Sequence, residues 1–371
     1  MDLAELRQEI DKIDEEILNL FIKRMNVCRN VADYKKEKNL SVLQGDREKQ
    51  LIERIRELSP DNLKDGAAVL FASIMDISKC IQQQEISKSD NFVKALPFEP
   101  EKAGSVVCQG TEGSYSEKAC RKLFKSQKIN FVSEFEDVFK AVDSGECEFG
   151  VLPLQNSTVG SVSKTYDLMA KYDFYINAVV RVEIKHCLAA KKGTALNEIE
   201  AVYSHEQALS QCSDFIRHLG LEQREYPNTA LAAKLVAESN EKIACICSPD
   251  AAEIYGLEIL ESQAANVYPN YTRFICISKR FIAKSDAGTI SVSLSIPHTK
   301  SSLYRLLTKF SVNGFNLVKI ENKPVAGKDF EVIFYLDFSG NCNDVKAASL
   351  LEELKGEHSY FKFLGNFDEV M

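Results

Sequence analysis

Residues 151–162 read VLPLQNSTVGSV, and this stretch places a polar turn directly after an apolar run. Val151–Leu154 are typical of the end of a buried strand. The next four residues, QNST, all carry hydrogen-bonding side chains, and Gly160 follows closely. Two interpretations stay open at this point: an ordinary polar turn, or one wall of a pocket for a small polar molecule.

Short apolar runs alternate with helical patterns on both sides of this stretch, from Val106 to Ile282. The runs are SVVC, FGVLPL, YINAVVRV, EAVYS and KIACICS. Their alternation with helical patterns predicts an α/β segment. Residues 289–371 then give the order strand, helix, strand, strand, helix, strand, which is typical of a ferredoxin-like α+β fold.

Polar residues end four of the apolar runs in the α/β segment. Ser114 in QGTEGSYSE and Ser204 in SHEQ are each followed three residues later by Glu or Gln, which is the spacing of a capping box. Residues 228–230 and 156–158 are similar polar ends. Together they indicate a cleft lined by helix N-termini, which favours an anion. Independent local caps without a common site remain the alternative.

The sequence NYTRF, residues 270–274, adds two groups that suit an anionic substrate. The hydroxyl of Thr272 can donate a proton to an oxygen atom. The guanidinium of Arg273 can hold a carboxylate with two parallel hydrogen bonds.

Residues 1–86 show only the helical period. One apolar stripe contains Leu6, Ile10, Ile13, Ile17, Leu20, Phe21, Val27, Cys28 and Val31. It predicts a long first helix, and two more helices are expected at residues 46–58 and 64–84. So short an all-helical segment has a thin core, and we therefore expect it to self-associate.

Two cations lie on the apolar stripe of the first helix. Arg24 is near its middle and Lys35 is within roughly 20° of it. Ion pairs with the other helices, or extended side chains at the edge of the stripe, would explain them. The alternative is a pocket for an anion with more than one carboxylate. Such a pocket would lack a nucleophile and a histidine base, so it would act by positioning and charge stabilisation.

Composition excludes several classes of function. The chain has 371 residues and a formal net charge of −8, and it has no basic stripe with interleaved aromatic residues, so a nucleic-acid partner is not expected. We see no signal peptide and no apolar run of about 18 residues, so no membrane partner is expected either. Eleven scattered cysteines favour a reducing cytoplasm. Zinc spacings and nucleotide-binding glycine motifs are also missing from the sequence.

The helical segment resembles the all-helical chorismate mutase family in LRQEIDKIDEEILNLFIKR, YKKEK, REKQLIERI and IMDISKCIQ. The resemblance implies rearrangement of chorismate to prephenate in an intertwined dimer. It implies that Arg24 and Lys35 are catalytic, and that the substrate-binding residues are Arg7, Arg47, Glu48, Ser78 and Gln82. Arg7 would serve the partner chain's site. Gln44 departs from an aspartate found in a close branch of the family.

The α/β segment resembles prephenate dehydratases in five ordered motifs, QGTEGSYSEKA, LPLQNSTVGSV, YSHEQAL, NTALAA and NYTRF. The resemblance implies decarboxylation of prephenate with loss of its ring hydroxyl. Thr272, Asn156 and Gln155 would be catalytic. The implied substrate-binding residues are Ser114, Ser157, Ser204, His205, Gln207, Thr229, Arg273 and Phe274. Gln155 stands where the family usually has a glutamate, so it keeps the hydrogen bonding and loses the charge.

The last segment, with NLVKIENKP, resembles the ACT domain that follows the dehydratase in this family. The resemblance implies a regulatory ligand, phenylalanine, at Ser301, Ser302, Leu303, Asn316, Leu317 and Glu321. The family's loop usually begins with glycine where this chain has Ser301-Ser302-Leu303. A domain that serves dimerisation alone is the alternative.

The sequence therefore predicts three domains, a helical mutase at 1–86, a two-lobed α/β dehydratase resembling periplasmic binding proteins at 104–283, and an ACT domain at 287–371. We expect a cytoplasmic homo-oligomer that acts on chorismate and prephenate without metal or organic cofactor. Two alternatives stay open. One is an active mutase with an impaired dehydratase, and the other is a protein that binds an anion and an amino acid without turnover.

Overall fold

The computed structural model of the chain describes residues 2–38, 40, 42, 45–86, 92–324 and 332–371. It forms two compact units, one of residues 1–94 and 288–364 and one of residues 95–287 and 365–371. Two parts of the predictions lie outside the described residues. One is Gln44, and the other is residues 87–91, which connect the first two predicted domains.

The first unit begins with three helices, α1 (Leu3–Glu37), α2 (Gly45–Leu58) and α3 (Lys64–Ile86). Asp2 begins α1 with a capping box, since its carboxylate accepts from the backbone of Ala4 and Glu5. The helices α1 and α2 pack against α3. Most of the predicted apolar stripe of α1 stays uncovered. Its residues Leu6, Ile10, Ile13, Ile17, Leu20, Val27 and Val31 are 39% to 65% exposed.

The second unit confirms the predicted α/β pattern. Its first part contains β1 (Leu96–Pro97), β2 (Val106–Gln109), α4 (Tyr115–Leu123), β3 (Ile129–Val132), α5 (Phe135–Ser144), β4 (Phe149–Asn156), β5 (Gly160–Ser161), α6 (Ser163–Lys171) and β6 (Tyr175–Glu183). The second part contains β7 (Cys187–Ala190), β8 (Ala201–Ser204), α7 (Glu206–Gln211), α8 (Ser213–Leu219), β9 (Glu222–Glu225), α9 (Thr229–Glu238), β10 (Ile243–Cys247), α10 (Pro249–Ile254) and β11 (Glu258–Glu261). The strands β12 (Tyr271–Ser278) and β13 (Ile282–Ala283) follow.

After β13 the chain returns to the first unit. It forms β14 (Thr289–Ser295), α11 (Ser302–Asn313), β15 (Leu317–Pro324), β16 (Val332–Ser339), α12 (Val345–Glu357) and β17 (Phe361–Phe367). The last strand, β18 (Glu369–Val370), belongs to the second unit again. The strands β14 to β17 form a four-stranded sheet in the order β15-β16-β14-β17, as the ferredoxin-like pattern predicts. The helix α3 packs against α11 and α12 as well as α1 and α2.

Two sheets give the second unit two lobes. One sheet has the order β18-β6-β12-β4-β2-β3, with β5 paired to β4, and the other has the order β11-β7-β10-β8-β9. The chain leaves the first lobe after β6, builds the second lobe, and returns with β12 into the centre of the first sheet. Each sheet buries an apolar core of its own. The strand β4 runs on to Asn156, two residues beyond the predicted strand end, because β12 and β5 pair with it there.

Candidate active sites

A cavity of about 340 Å³ in the second unit is lined by residues from both lobes. It brings together Ser114, Asn156, His205, Gln207, Thr229, Thr272 and Phe274, which are seven of the predicted dehydratase residues. The size suits a small organic acid. The polar strand ends therefore share one site, as the cleft interpretation predicts.

Thr272 and Asn156 form the centre of this cavity. They are directly opposite each other in the antiparallel strands β12 and β4, and both are buried. Asn156 Nδ2 donates to Thr272 Oγ1 at 2.9 Å. The same nitrogen donates to Asn270 Oδ1 at 2.7 Å, and Asn156 Oδ1 accepts from the backbone N of Thr158 at 3.0 Å. The asparagine thus fixes the position of the threonine oxygen and leaves its O–H free to turn toward a ligand.

Three further residues extend this network, and their stretches of sequence carry only a weak signal for such a role. Asn270 Nδ2 donates to Gln211 Oε1 at 3.3 Å, and that oxygen also lies 2.9 Å from His186 Nε2. Burial lowers the pKa of His186, so the ring is neutral near pH 7. Asn270 begins the NYTRF motif, whereas His186 and Gln211 lie in stretches without a recognisable chemical pattern.

Helix N-termini supply part of the cavity lining. Ser114 caps α4, because its Oγ accepts from the backbone N of Glu117 at 3.3 Å. Asn228 caps α9 through a 2.7 Å bond from the backbone N of Leu231. The SHEQ turn differs from the prediction: His205, not Ser204, is the N-cap of α7. Ser204 Oγ instead donates to the carbonyl of Ile246 within the sheet.

Gln155, Ser157 and Arg273 do not line this cavity, in contrast to the expectation that they act on the same substrate as Thr272. The physical reason is that successive side chains of a strand point to opposite faces of the sheet. Gln155 pairs with Arg273, one residue along from the Asn156–Thr272 pair. The side chains of Gln155 and Arg273 therefore point away from the face that lines the cavity. They line a separate depression of about 260 Å³. There, Arg273 Nη2 lies 2.6 Å from Glu369 Oε2.

The first unit brings four of the predicted mutase residues together between α1 and α3. Lys35 is 7% exposed, and its Nζ donates to Gln82 Oε1 at 3.3 Å. Arg24 Nη1 donates to Ser78 Oγ. In the part of the chain that the structure describes, no carboxylate pairs with Arg24 or Lys35. The ion-pair explanation of these cations therefore fails within the described residues, and burial lowers the pKa of Lys35.

Among the other predicted mutase residues, Glu48 lies near enough for its charge to act on Lys35. Glu48 is half-buried and within 3.3 Å of both Lys79 Nζ and Arg305 Nη2. Arg47 is exposed. Arg7 and Lys35 are separated along α1 by about 42 Å, since a helix rises about 1.5 Å per residue. Arg7 therefore cannot reach the Lys35 site of its own chain.

The predicted regulatory residues lie at the ends of α11 and β15. Ser301 precedes α11 and has a φ of 66°, a left-handed conformation that favours glycine. Ser302 is the first residue of α11, and Leu303 is exposed. Asn316 is exposed just before β15, Leu317 begins that strand, and Glu321 within it pairs with Lys323 at 3.1 Å.

Among the described residues, no helix is long and apolar enough to cross a membrane.

Comparison with known proteins gives matches along the chain. The family model for chorismate mutase type II matches residues 6–83, and the one for prephenate dehydratase matches residues 106–281. Bifunctional chorismate mutase/prephenate dehydratases from Enterobacter agglomerans and from Buchnera aphidicola (subspecies Acyrthosiphon pisum) are 29% and 30% identical. The alignments cover 98% and 97% of this chain and 95% and 94% of the relatives.

Among solved structures, the prephenate dehydratase from Arthrobacter aurescens in complex with L-Phe is 25% identical and superposes with a TM-score of 0.65. The match covers 71% of this chain and 89% of that one. The identity over nearly the full length, together with the two separate groups of site residues, leads to one conclusion. The chain belongs to the bifunctional chorismate mutase/prephenate dehydratase family.

Proposed function

We propose that the first unit rearranges chorismate to prephenate and that the second unit converts prephenate to phenylpyruvate, with the roles that follow. The observation that carries this proposal is the assembly of two different sets of groups in two different units. One is a buried pair of cations with amide and hydroxyl partners, and the other is the Thr272–Asn156 pair in a cavity.

In the mutase site, Lys35 and Arg24 hold the carboxylates and the ether oxygen of chorismate. Charge on that oxygen grows as its C–O bond breaks, so a fixed cation beside it stabilises the transition state more than the ground state. Ser78 and Gln82 hold the two cations in place through the hydrogen bonds described above. Glu48 binds the substrate hydroxyl.

In the dehydratase site, Thr272 Oγ–H donates to the hydroxyl that leaves the ring of prephenate. The ring carboxylate departs as CO₂, and its bonding electrons enter the ring as the hydroxyl leaves as water. The proton that this water takes up passes through Thr272, which regains one from solvent. Asn156 holds Thr272 for this step. The backbone N–H groups at the start of α4 and α9 receive the carboxylates. Gln155 lies outside the cavity, which favours a working dehydratase over an impaired one.

The experiment is to supply chorismate to the purified protein and follow prephenate and phenylpyruvate by mass spectrometry. Thr272→Val keeps the shape and loses the hydroxyl, so it should give prephenate alone. Lys35→Gln should block the first step and still convert added prephenate. Thr165→Val is the matched control, because Thr165 is fully buried in the same unit and its hydroxyl donates to the carbonyl of Pro153 at 2.7 Å. Tight binding of prephenate without turnover in the parent protein would favour a binding protein instead.

We propose that the mutase site is completed in a homodimer. The uncovered apolar stripe of α1 offers a surface for a second copy, and the partner's Arg7 would reach the site that its own chain cannot. We also propose the domain boundaries 1–86, 104–283 and 287–371, with the last strand, β18, returning from the third segment to the dehydratase sheet. A cytoplasmic location agrees with the eleven cysteines, which are all free thiols.

We infer that residues 287–371 are an ACT domain that binds phenylalanine as a regulatory ligand. The Arthrobacter relative is described in complex with L-Phe. In this chain, the left-handed backbone at Ser301 is the conformation that a glycine would allow at the start of such a ligand loop. Calorimetry with phenylalanine tests this inference, and the absence of binding would leave dimerisation as the role of this segment.

A further inference from the structure

The last residues of the chain form an edge strand of the dehydratase sheet. In β18, Glu369 pairs with Val179 and Val370 with Val180, parallel to β6. Val370 packs against the apolar core of this lobe. The strand β6 lies between β18 and β12, so the chain end is two strands away from Thr272.

The side chain of Glu369 reaches past β6 to Arg273. Its two carboxylate oxygens accept from Arg273 Nε at 3.0 Å and from Nη2 at 2.6 Å. This is the bidentate geometry in which an arginine–carboxylate pair is strongest and most directional. The side chains are 37% and 25% exposed, so water screens the pair only in part.

Arg273 has a cationic and a neutral neighbour across the sheet. In β6 its direct partner is Arg181, whose guanidinium also lies 4.3 Å from the ring centroid of Tyr271. In β4 its direct partner is Gln155. Two arginines opposite each other repel, and a neutral glutamine offsets neither charge. Glu369 is the one carboxylate among the residues that line this depression.

The position of Arg273 matters because the next residue along β12 toward the N-terminus is Thr272. The pairing of β12 with β4 is regular at Thr272 and Arg273 and shifts register immediately afterwards, between Arg273 and Phe274. A bulge allows the strand to bend and re-aims its side chains. A fixed Arg273 on one face therefore restricts how Thr272 is presented on the other.

We propose that Glu369 is a positioning residue of the dehydratase, which holds Thr272 toward the cavity by clamping Arg273 on the opposite face of β12. This inference rests on the proposed role of Thr272. It gives Arg273 a positioning role instead of contact with the substrate, and it makes the chain end part of the dehydratase.

The test is Glu369→Gln, which keeps the size of the side chain and removes its charge. We expect kcat for prephenate to fall about 10- to 100-fold, the range for a small misplacement of a reacting group. KM for prephenate and the mutase activity should stay within about twofold. The matched control is Glu183→Gln on β6, since Glu183 is a carboxylate of the same sheet that pairs with Lys185 at 3.1 Å.

A second variant separates positioning from general destabilisation. Gln155→Glu places a carboxylate directly opposite Arg273, so the double variant Gln155→Glu/Glu369→Gln should recover most of the lost kcat. A structural role of Glu369 alone would not give this recovery in kcat. An unchanged kcat in Glu369→Gln, or no recovery in the double variant, would overturn the proposal. If Thr272→Val still makes phenylpyruvate at the parent rate, the proposed role of Thr272 is wrong, whatever the result for Glu369→Gln.

Discussion

Replacing Asn156 with aspartate tests the dehydratase mechanism most directly. The amide nitrogen of Asn156 donates to Thr272 Oγ1, Asn270 Oδ1 and the carbonyl of Tyr271, at 2.9, 2.7 and 3.2 Å. The amide oxygen accepts from Thr158 Oγ1 at 2.7 Å. Asn156→Asp keeps the accepting half of this arrangement. It replaces the donating half by a carboxylate oxygen that faces three other oxygen atoms.

The expected loss of dehydratase rate follows from what the hydroxyl of Thr272 would do in this variant. Its O–H would turn to donate to the new carboxylate, and it would no longer donate to the leaving oxygen. Losing one preorganised donor to a developing charge costs about 2.7–4 kcal/mol. Since about 1.4 kcal/mol is a factor of ten in rate, we expect kcat to fall roughly 100- to 1000-fold. The oxygen neighbours raise the pKa of the introduced carboxyl, so the loss should shrink as the pH falls and that group becomes protonated.

The assay is steady-state formation of phenylpyruvate from prephenate, with formation of prephenate from chorismate as an internal control for folding. Asn177→Asp is the matched control. Asn177 is 2% exposed in the same sheet, and its Nδ2 donates to Ser278 Oγ at 2.7 Å. It should lose stability without a comparable loss of kcat. A decrease in kcat of less than about threefold for Asn156→Asp would refute the reasoning.

Three further predictions concern the first unit. Because burial lowers the pKa of Lys35, kcat/KM of the mutase should fall as pH rises through a value below 10.5, and Lys35→Arg should remove this alkaline decline from the pH profile. Ser301→Gly should raise the free energy of unfolding by about 0.5–1 kcal/mol in denaturant titrations, because glycine adopts the φ of 66° without strain. Lys309→Met should cost about 3–5 kcal/mol in the same assay, since it leaves the partly buried carboxylates of Glu353 and Glu357 without this cation.

The order of elements could be predicted from the sequence because each segment keeps one hydrophobic period over its length. The face of the sheet to which each strand residue points could not be predicted in the same way. Asn156 and Gln155 are neighbours in one motif, and only the pairing of β4 with β12 decides that one enters the cavity and the other leaves it. A motif gives residue types, whereas the register of a partner strand far away in the sequence gives their directions.

The same reasoning explains which site residues were missed. Gln211 bonds to both His186 and Asn270, and these three residues meet only because the chain leaves the first lobe and returns. Their chemistry depends on burial and on one shared amide oxygen. Neither of these properties has a local signature in a single sequence.

A final prediction tests the proposal that a second copy of the chain completes the mutase site. Arg7 lies about 42 Å along α1 from Lys35, and the stripe between them is uncovered. If a second copy covers this stripe, each site combines Arg7 of one chain with Arg24 of the other. Arg7→Ala and Arg24→Ala should then each abolish the mutase, but a mixture refolded together should regain activity.

The expected recovery follows from the symmetry of the dimer. In an equal mixture, half of the dimers contain one Arg7→Ala chain and one Arg24→Ala chain. One of the two sites in such a dimer carries both substitutions, and the other carries neither. About a quarter of all sites in the mixture are therefore intact. Dehydratase activity, whose cavity is built from one chain, should stay at the parent level in every sample and so reports folding. No recovery of mutase activity in a mixture that is shown to contain mixed dimers would mean that Arg7 of one chain does not complete the site of the other.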